Sequence, residues 1–113
     1  MIKIYHNPRC SKSRQGLAII EDSGKEFETI KYLEQPLSVI ELESIISKLG
    51  VKPIDIVRKN EAIWKSDFKG KILSDKNIIE AMVNHPKLIE RPIVVNEDKA
   101  VVGRPPESIT EII

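Results

Sequence analysis

The first thirty residues restrict the possible folds more than any other stretch of the chain. Ile2 to Tyr5 alternates in polarity and puts Ile2 and Ile4 on one face, which is the pattern of a short strand. His6-Asn7-Pro8-Arg9-Cys10 follows, and Asn-Pro marks a turn. From about Ser11 to Glu21 the spacing of Leu17, Ile20 and their neighbours predicts a helix, which Ser23-Gly24 stops. Phe27 to Tyr32 reads as a second strand. A strand, a helix and a strand in so short a stretch make a βαβ unit, whose crossover is right-handed.

The rest of the chain divides into helical and hairpin segments. Ser38 and Glu41 form a capping-box pattern ahead of Leu42, Ile45, Ile46 and Leu49, which repeat at helical spacing up to Gly50. Val51 to Gly70 carries a weaker signal, with a short helix expected from Pro53 through Arg58. Ser74 to Asn84 predicts a further helix with Ile78, Ile79, Met82 and Val83 on one side, ended by His85-Pro86. Ile93-Val94-Val95 and Ala100-Val101-Val102 read as a hairpin about a turn at Asn96 to Lys99. Beyond Gly103-Arg104-Pro105-Pro106, a last helix carries Ile109, Ile112 and Ile113. The order is β-α-β, a helical insert, then β-β-α, an α/β chain.

Composition narrows the functions available. With 113 residues, no internal repeat and no Gly/Ser/Pro-rich linker, residues 1–113 read as a single domain able to bury its own core. Lys and Arg total 18 against 17 Asp and Glu, a formal charge of +1, which gives no sign of a nucleic-acid surface. No apolar run approaches the ~18 residues of a membrane span. The opening Met1-Ile2-Lys3-Ile4-Tyr5-His6 lacks a secretory apolar core, so a cytoplasmic setting with reduced thiols is expected. The chain has one Cys and two His, which excludes an internal disulfide and a Cys-based zinc site. No metal and no bound cofactor are expected, and a monomer is expected.

The remaining chemistry centres on Cys10. It falls between a strand and a helix start, where unpaired N–H groups and the positive end of the macrodipole favour a thiolate. Arg9, Lys12 and Arg14 add positive charge nearby. Such surroundings lower a Cys pKa from ~8.5 into the ~3.5–7.5 range, so Cys10 reads as a nucleophile. The alternative is a buried core Cys, but its neighbours Arg9 and Ser11 are polar. Cys10-Ser11-Lys12-Ser13 has Cys-x-x-Cys spacing with Ser in the second place. Ser13 can donate a hydrogen bond to the thiolate or serve as an N-terminal cap. His6 can orient the loop, move a proton, or be only a histidine at a strand end.

Tyr5-His6-Asn7-Pro8-Arg9-Cys10-Ser11-Lys12-Ser13-Arg14 resembles the active-site loop of the glutaredoxin-dependent arsenate reductase family. Tyr32-Leu33-Glu34, Val57-Arg58-Lys59-Asn60, His85-Pro86-Lys87-Leu88-Ile89, Arg91-Pro92-Ile93-Val94-Val95 and Gly103-Arg104-Pro105 are similar to its later landmarks, in order, over nearly the whole chain. The chain looks most like the short, chromosomal members. The resemblance implies a thioredoxin-like fold with a mixed four-stranded sheet and a cis Arg91–Pro92 bond facing the Cys loop. It implies Cys10 as nucleophile, Arg58, Arg91 and Arg104 as holders of the oxyanion, and supporting places for His6, Ser13, Arg14 and Pro92. Guanidinium suits this task because its planar fork matches a tetrahedral oxyanion. Taken singly, each of these Arg residues can equally be a solvated surface group.

The activity implied is reduction of arsenate or a related oxyanion to arsenite, an arsenic detoxification chemistry. Two electrons require two thiols, and this chain has one, so glutathione and then glutaredoxin are the implied external partners. Two other functions compete. A Spx-type transcription regulator shares the fold without being an enzyme, but such proteins use a Cys-x-x-Cys switch that Ser13 removes. A monothiol glutaredoxin-like oxidoreductase would act on glutathione mixed disulfides.

Overall fold

The computed structural model describes residues 1–113. The chain gathers into two compact units, Met1–Gln35 with Arg91–Ile113, and Pro36–Glu90.

In the first unit β1 (Ile2–Tyr5) leads into α1 (Ser11–Asp22), which returns to β2 (Phe27–Ile30). β1 and β2 pair in parallel, Ile2 opposite Phe27 and Tyr5 opposite Ile30. β3 (Ile93–Asn96) lies antiparallel on the other side of β1, with Tyr5 opposite Ile93. β4 (Lys99–Val102) closes the hairpin, and the four-stranded sheet has the order β2-β1-β3-β4. This is the expected mixed sheet of a thioredoxin-like α/β fold. The hairpin turns through Glu97, at φ 58°, and Asp98.

The alternation in β1 sends Ile2 and Ile4 into a core with Ile20 of α1, Val94 of β3 and Ile109. Pro92 is wedged at the edge of this core. A Cβ added to Gly16 would stand 2.9 Å from Pro92 Cγ and 2.8 Å from Ile109 Cδ1. One added to Gly103 would stand 2.8 Å and 3.0 Å from the same atoms. These two glycines therefore let Pro92 and Ile109 pack against backbone. The Arg91–Pro92 bond is cis, as the family resemblance implies, and so is Arg104–Pro105.

Two elements of this unit differ from the sequence reading. The second strand stops at Ile30, because the Lys31 carbonyl accepts the N–H groups of Glu34 and Gln35 and turns the chain. The last element is a 3₁₀ helix, Pro106–Glu111, closed by bonds such as Ser108 N–H to Pro105 O at 3.0 Å. Residues three apart eclipse in a 3₁₀ helix, which puts Ile109 and Ile112 on one side. So short a piece depends on tertiary packing, and fully buried Ile109 supplies it.

In the second unit α2 (Val39–Leu49) packs on α4 (Asp75–Asn84), with Leu42, Ile45 and Ile46 buried from one and Ile78, Ile79 and Met82 from the other. Ser38 Oγ caps α2 by accepting the Glu41 N–H at 3.1 Å, and Gly50, at φ 69°, ends it. The unclear stretch resolves into a 3₁₀ turn, Pro53–Ile56, and a short α3, Ala62–Asp67. Trp64 is a buried anchor stacked on Phe68 at 5.5 Å, and His85 meets Phe68 edge-on at 5.9 Å.

Candidate active site

Cys10 is the N-cap residue of α1, with extended backbone at φ −95°, ψ 124° and no capping bond from its side chain. The preceding loop is pinned by its own hydrogen bonds. The Cys10 N–H donates to Asn7 O at 3.0 Å, and Asn7 Oδ1 accepts the Arg9 N–H at 3.0 Å. Arg14 Nη1 donates to Pro8 O at 2.9 Å from one turn into α1. The half-buried sulfur is thus presented at the helix start by a closed turn.

Beneath it lie two buried polar side chains. Ser13 is fully buried, and its Oγ stands 2.7 Å from His6 Nδ1 while accepting the Asn7 N–H at 3.0 Å. Both sequence roles considered for this hydroxyl, thiolate donor and helix cap, are displaced by this arrangement. From this residue it is the backbone N–H, not the hydroxyl, that serves the sulfur. His6 extends the ladder beyond β1, its N–H donating to Ile30 O at 2.8 Å. Burial first, then the positive charges of Lys31 and Arg14, hold the His6 ring below the ordinary histidine range. The ring is therefore neutral near pH 7 and acts on the loop through Ser13.

The electrostatics at Cys10 are a contest. Burial pushes the thiol up, while the N–H groups of Ser13 and Lys12 and the charge of Arg91 pull it down. The attractions win, and the thiol sits below its ordinary value. Arg104 adds Nη2 at 3.7 Å from Sγ. Arg91 is half-buried, and its Nε and Nη1 are sealed from water with no hydrogen-bond partner. Unsatisfied nitrogens on a cation are costly, since buried donors lose their hydration without return. A tetrahedral oxyanion on the sulfur would supply the missing acceptors.

Six of the seven supporting and binding residues singled out from sequence, His6, Ser13, Arg14, Arg91, Pro92 and Arg104, lie in the unit that holds Cys10. Arg58 belongs to the other unit. There its N–H donates to Leu88 O at 2.7 Å and its guanidinium pairs with Glu61 at 3.1 Å. Sequence reasoning overlooked Gly16, although an isolated Gly inside a helical pattern is a recognised sign of close packing, and read Gly103 only as a break and a landmark. It read Asn7 only as part of an Asn-Pro turn signal, whereas its side chain also accepts the Arg9 N–H.

The ArsC family model matches residues 5–112. The chain belongs to the ArsC family. It is 45% identical over 112 residues to an arsenate reductase of Haemophilus influenzae, covering 97% of each chain. It is 44% identical to the uncharacterized protein YfgD of Escherichia coli K12, over 99% of this chain and 96% of that one. Among solved structures, an arsenate reductase from Vibrio cholerae superposes with a TM-score of 0.94 at 46% identity, covering 99% of this chain and 97% of that one.

Proposed function

We propose that the chain reduces arsenate, or a closely related oxyanion, with Cys10 as its nucleophile. The observation that carries this reading is the pairing of a half-buried Cys at a helix start with two guanidiniums. One lies 3.7 Å from the sulfur, and the other has buried nitrogens without acceptors. The arsenate reductases of similar sequence and structure support it.

The chemistry runs as follows. The Cys10 thiolate attacks arsenic, an S–As bond forms and an oxygen departs as water. Arg91 and Arg104 bind the remaining oxygens and offset their charge, more strongly in the crowded transition state than on free arsenate. Glutathione then attacks the Cys10 sulfur. An S–S bond forms, the S–As bond breaks and arsenic keeps the electron pair, leaving as arsenite. Glutaredoxin takes the glutathione by thiol–disulfide exchange and returns Cys10 to its thiol. A lone Cys makes the outside thiol necessary, which fits a cytoplasmic setting where thiols stay reduced. The role implied for Arg58 rests on the family resemblance alone.

The test is arsenate-dependent oxidation of NADPH with glutathione, glutaredoxin and glutathione reductase present. Wild type is expected to turn over and Cys10→Ser to match the blank. Wild type at the blank rate would remove the arsenate assignment.

A further inference from the structure

A cavity borders the Cys loop. It holds about 410 Å³ and is walled by His6, Asn7, Pro8 and Arg9 on one side and by Lys31, Leu33 and Glu34 on the other. Its size falls in the ~300–1,000 Å³ range of small-molecule sites. The strand order explains its placement. Tyr5 lies between Ile30 of β2 and Ile93 of β3, so the segments after β2 and before β3 flank the Cys loop from opposite sides. Arg91 comes from the β3 side and the cavity opens on the β2 side. Two ligands can therefore approach one turn without competing for the same residues.

The lining has a definite charge pattern. Arg9 and Lys31 are exposed cations and Glu34 is an exposed carboxylate, and the side chains of all three are free of ion pairs and hydrogen bonds. Leu33, 38% exposed, adds an apolar surface. Two cations, one anion and an apolar patch complement a small peptide thiol with two carboxylates, one ammonium and a methylene stem. Pro8 and Arg9 belong to the turn closed by the Cys10 N–H, so the cavity borders the turn that carries the sulfur.

We propose that this cavity is the seat of the acidic peptide thiol, with Arg9 and Lys31 taking its carboxylates and Glu34 its ammonium group. The inference rests on the reading of the chain as a thiol-coupled reductase. From this seat the thiol's sulfur bonds to the sulfur of Cys10, and its proton passes to the departing arsenite oxygen.

Two measurements test it. In the coupled assay, Lys31→Glu and Glu34→Lys are each expected to raise KM for glutathione by about tenfold or more, with KM for arsenate at the wild-type value. An unchanged KM for glutathione, or an equal rise for both substrates, would overturn the seat. The second measurement does not depend on arsenate turnover. S-methylglutathione, which cannot react, is titrated into the full chain and amide shifts are followed by NMR. Shifts centred on residues 6–9 and 31–34, lost in Lys31→Glu, support the seat. Shifts elsewhere, or none, reject it whether or not arsenate is reduced.

Discussion

Arg104 Nε donates to the carbonyl oxygen of Arg91 at 3.0 Å, so the two guanidinium-bearing segments near Cys10 are tied to each other. The bond fixes the fork of Arg104 while its Nη2 reaches the sulfur. Lysine carries the same charge but has no fork to make both contacts. Arg104→Lys is therefore expected to lower kcat/KM for arsenate by about 10- to 150-fold, the value of a charged hydrogen bond. Unfolding by urea should move little, because the residue is exposed.

Arg91 affects both the nucleophile and the proposed oxyanion. Its charge is one of the causes that hold the Cys10 thiol down. Arg91→Ala should raise the midpoint of the iodoacetamide alkylation profile against pH and also slow arsenate reduction about 10- to 150-fold. A variant that loses activity with an unmoved alkylation midpoint would mean Arg91 does not act on the sulfur.

The glycines beside Pro92 give a packing prediction. Ala at Gly16 would gain ~1 kcal/mol of helix propensity but meet the rigid Pro92 ring at 2.9 Å, and overpacking costs ~1–3 kcal/mol. Gly103 lies outside any helix and has no such offset. Gly103→Ala should therefore lower the urea midpoint more than Gly16→Ala, both at unchanged slope.

The pH dependence of stability follows from two depressed pKa values. His6 titrates lower in the folded chain than its ordinary ~6.5, so the unfolded chain binds the proton first. Its contribution is full above the unfolded pKa and is lost as pH falls through the folded one. Cys10 is also depressed, so its contribution appears as pH rises from the folded pKa to the unfolded one, ~8.5. The stability difference between wild type and Cys10→Ser should thus grow in favour of wild type as pH rises toward ~9. A flat difference, measured by urea unfolding at several pH values, would contradict the depressed thiol.

Much of this was legible along the chain because it is local. The alternation of Ile2 and Ile4, the spacing of Leu42, Ile45 and Ile46, and Ser38 as a cap each depend on neighbours within a turn or two. The use of Ser13 was harder to read. A Ser three residues after a Cys suggests a bond to the sulfur, yet its hydroxyl is taken by His6 and Asn7 because burial forces it to find partners below the loop. The final helix misled for a similar reason. Its three Ile residues suit either helix type, and packing of Ile109 near Pro92 selects the tighter one.

The sequence by itself determined the element order, placed Cys10 at the start of α1 and limited the chain to one thiol, hence to an external reductant in the proposed chemistry. Only the tertiary structure decided what surrounds that thiol. Arg104 lies 94 residues from Cys10, and both it and Arg91 reach the sulfur because β3 pairs with β1 in a register that sets Ile93 opposite Tyr5. Local periodicity encodes helices and strands, whereas convergence on one atom depends on long-range pairing. That pairing is how a chain of net charge +1 comes to concentrate positive charge at a single sulfur.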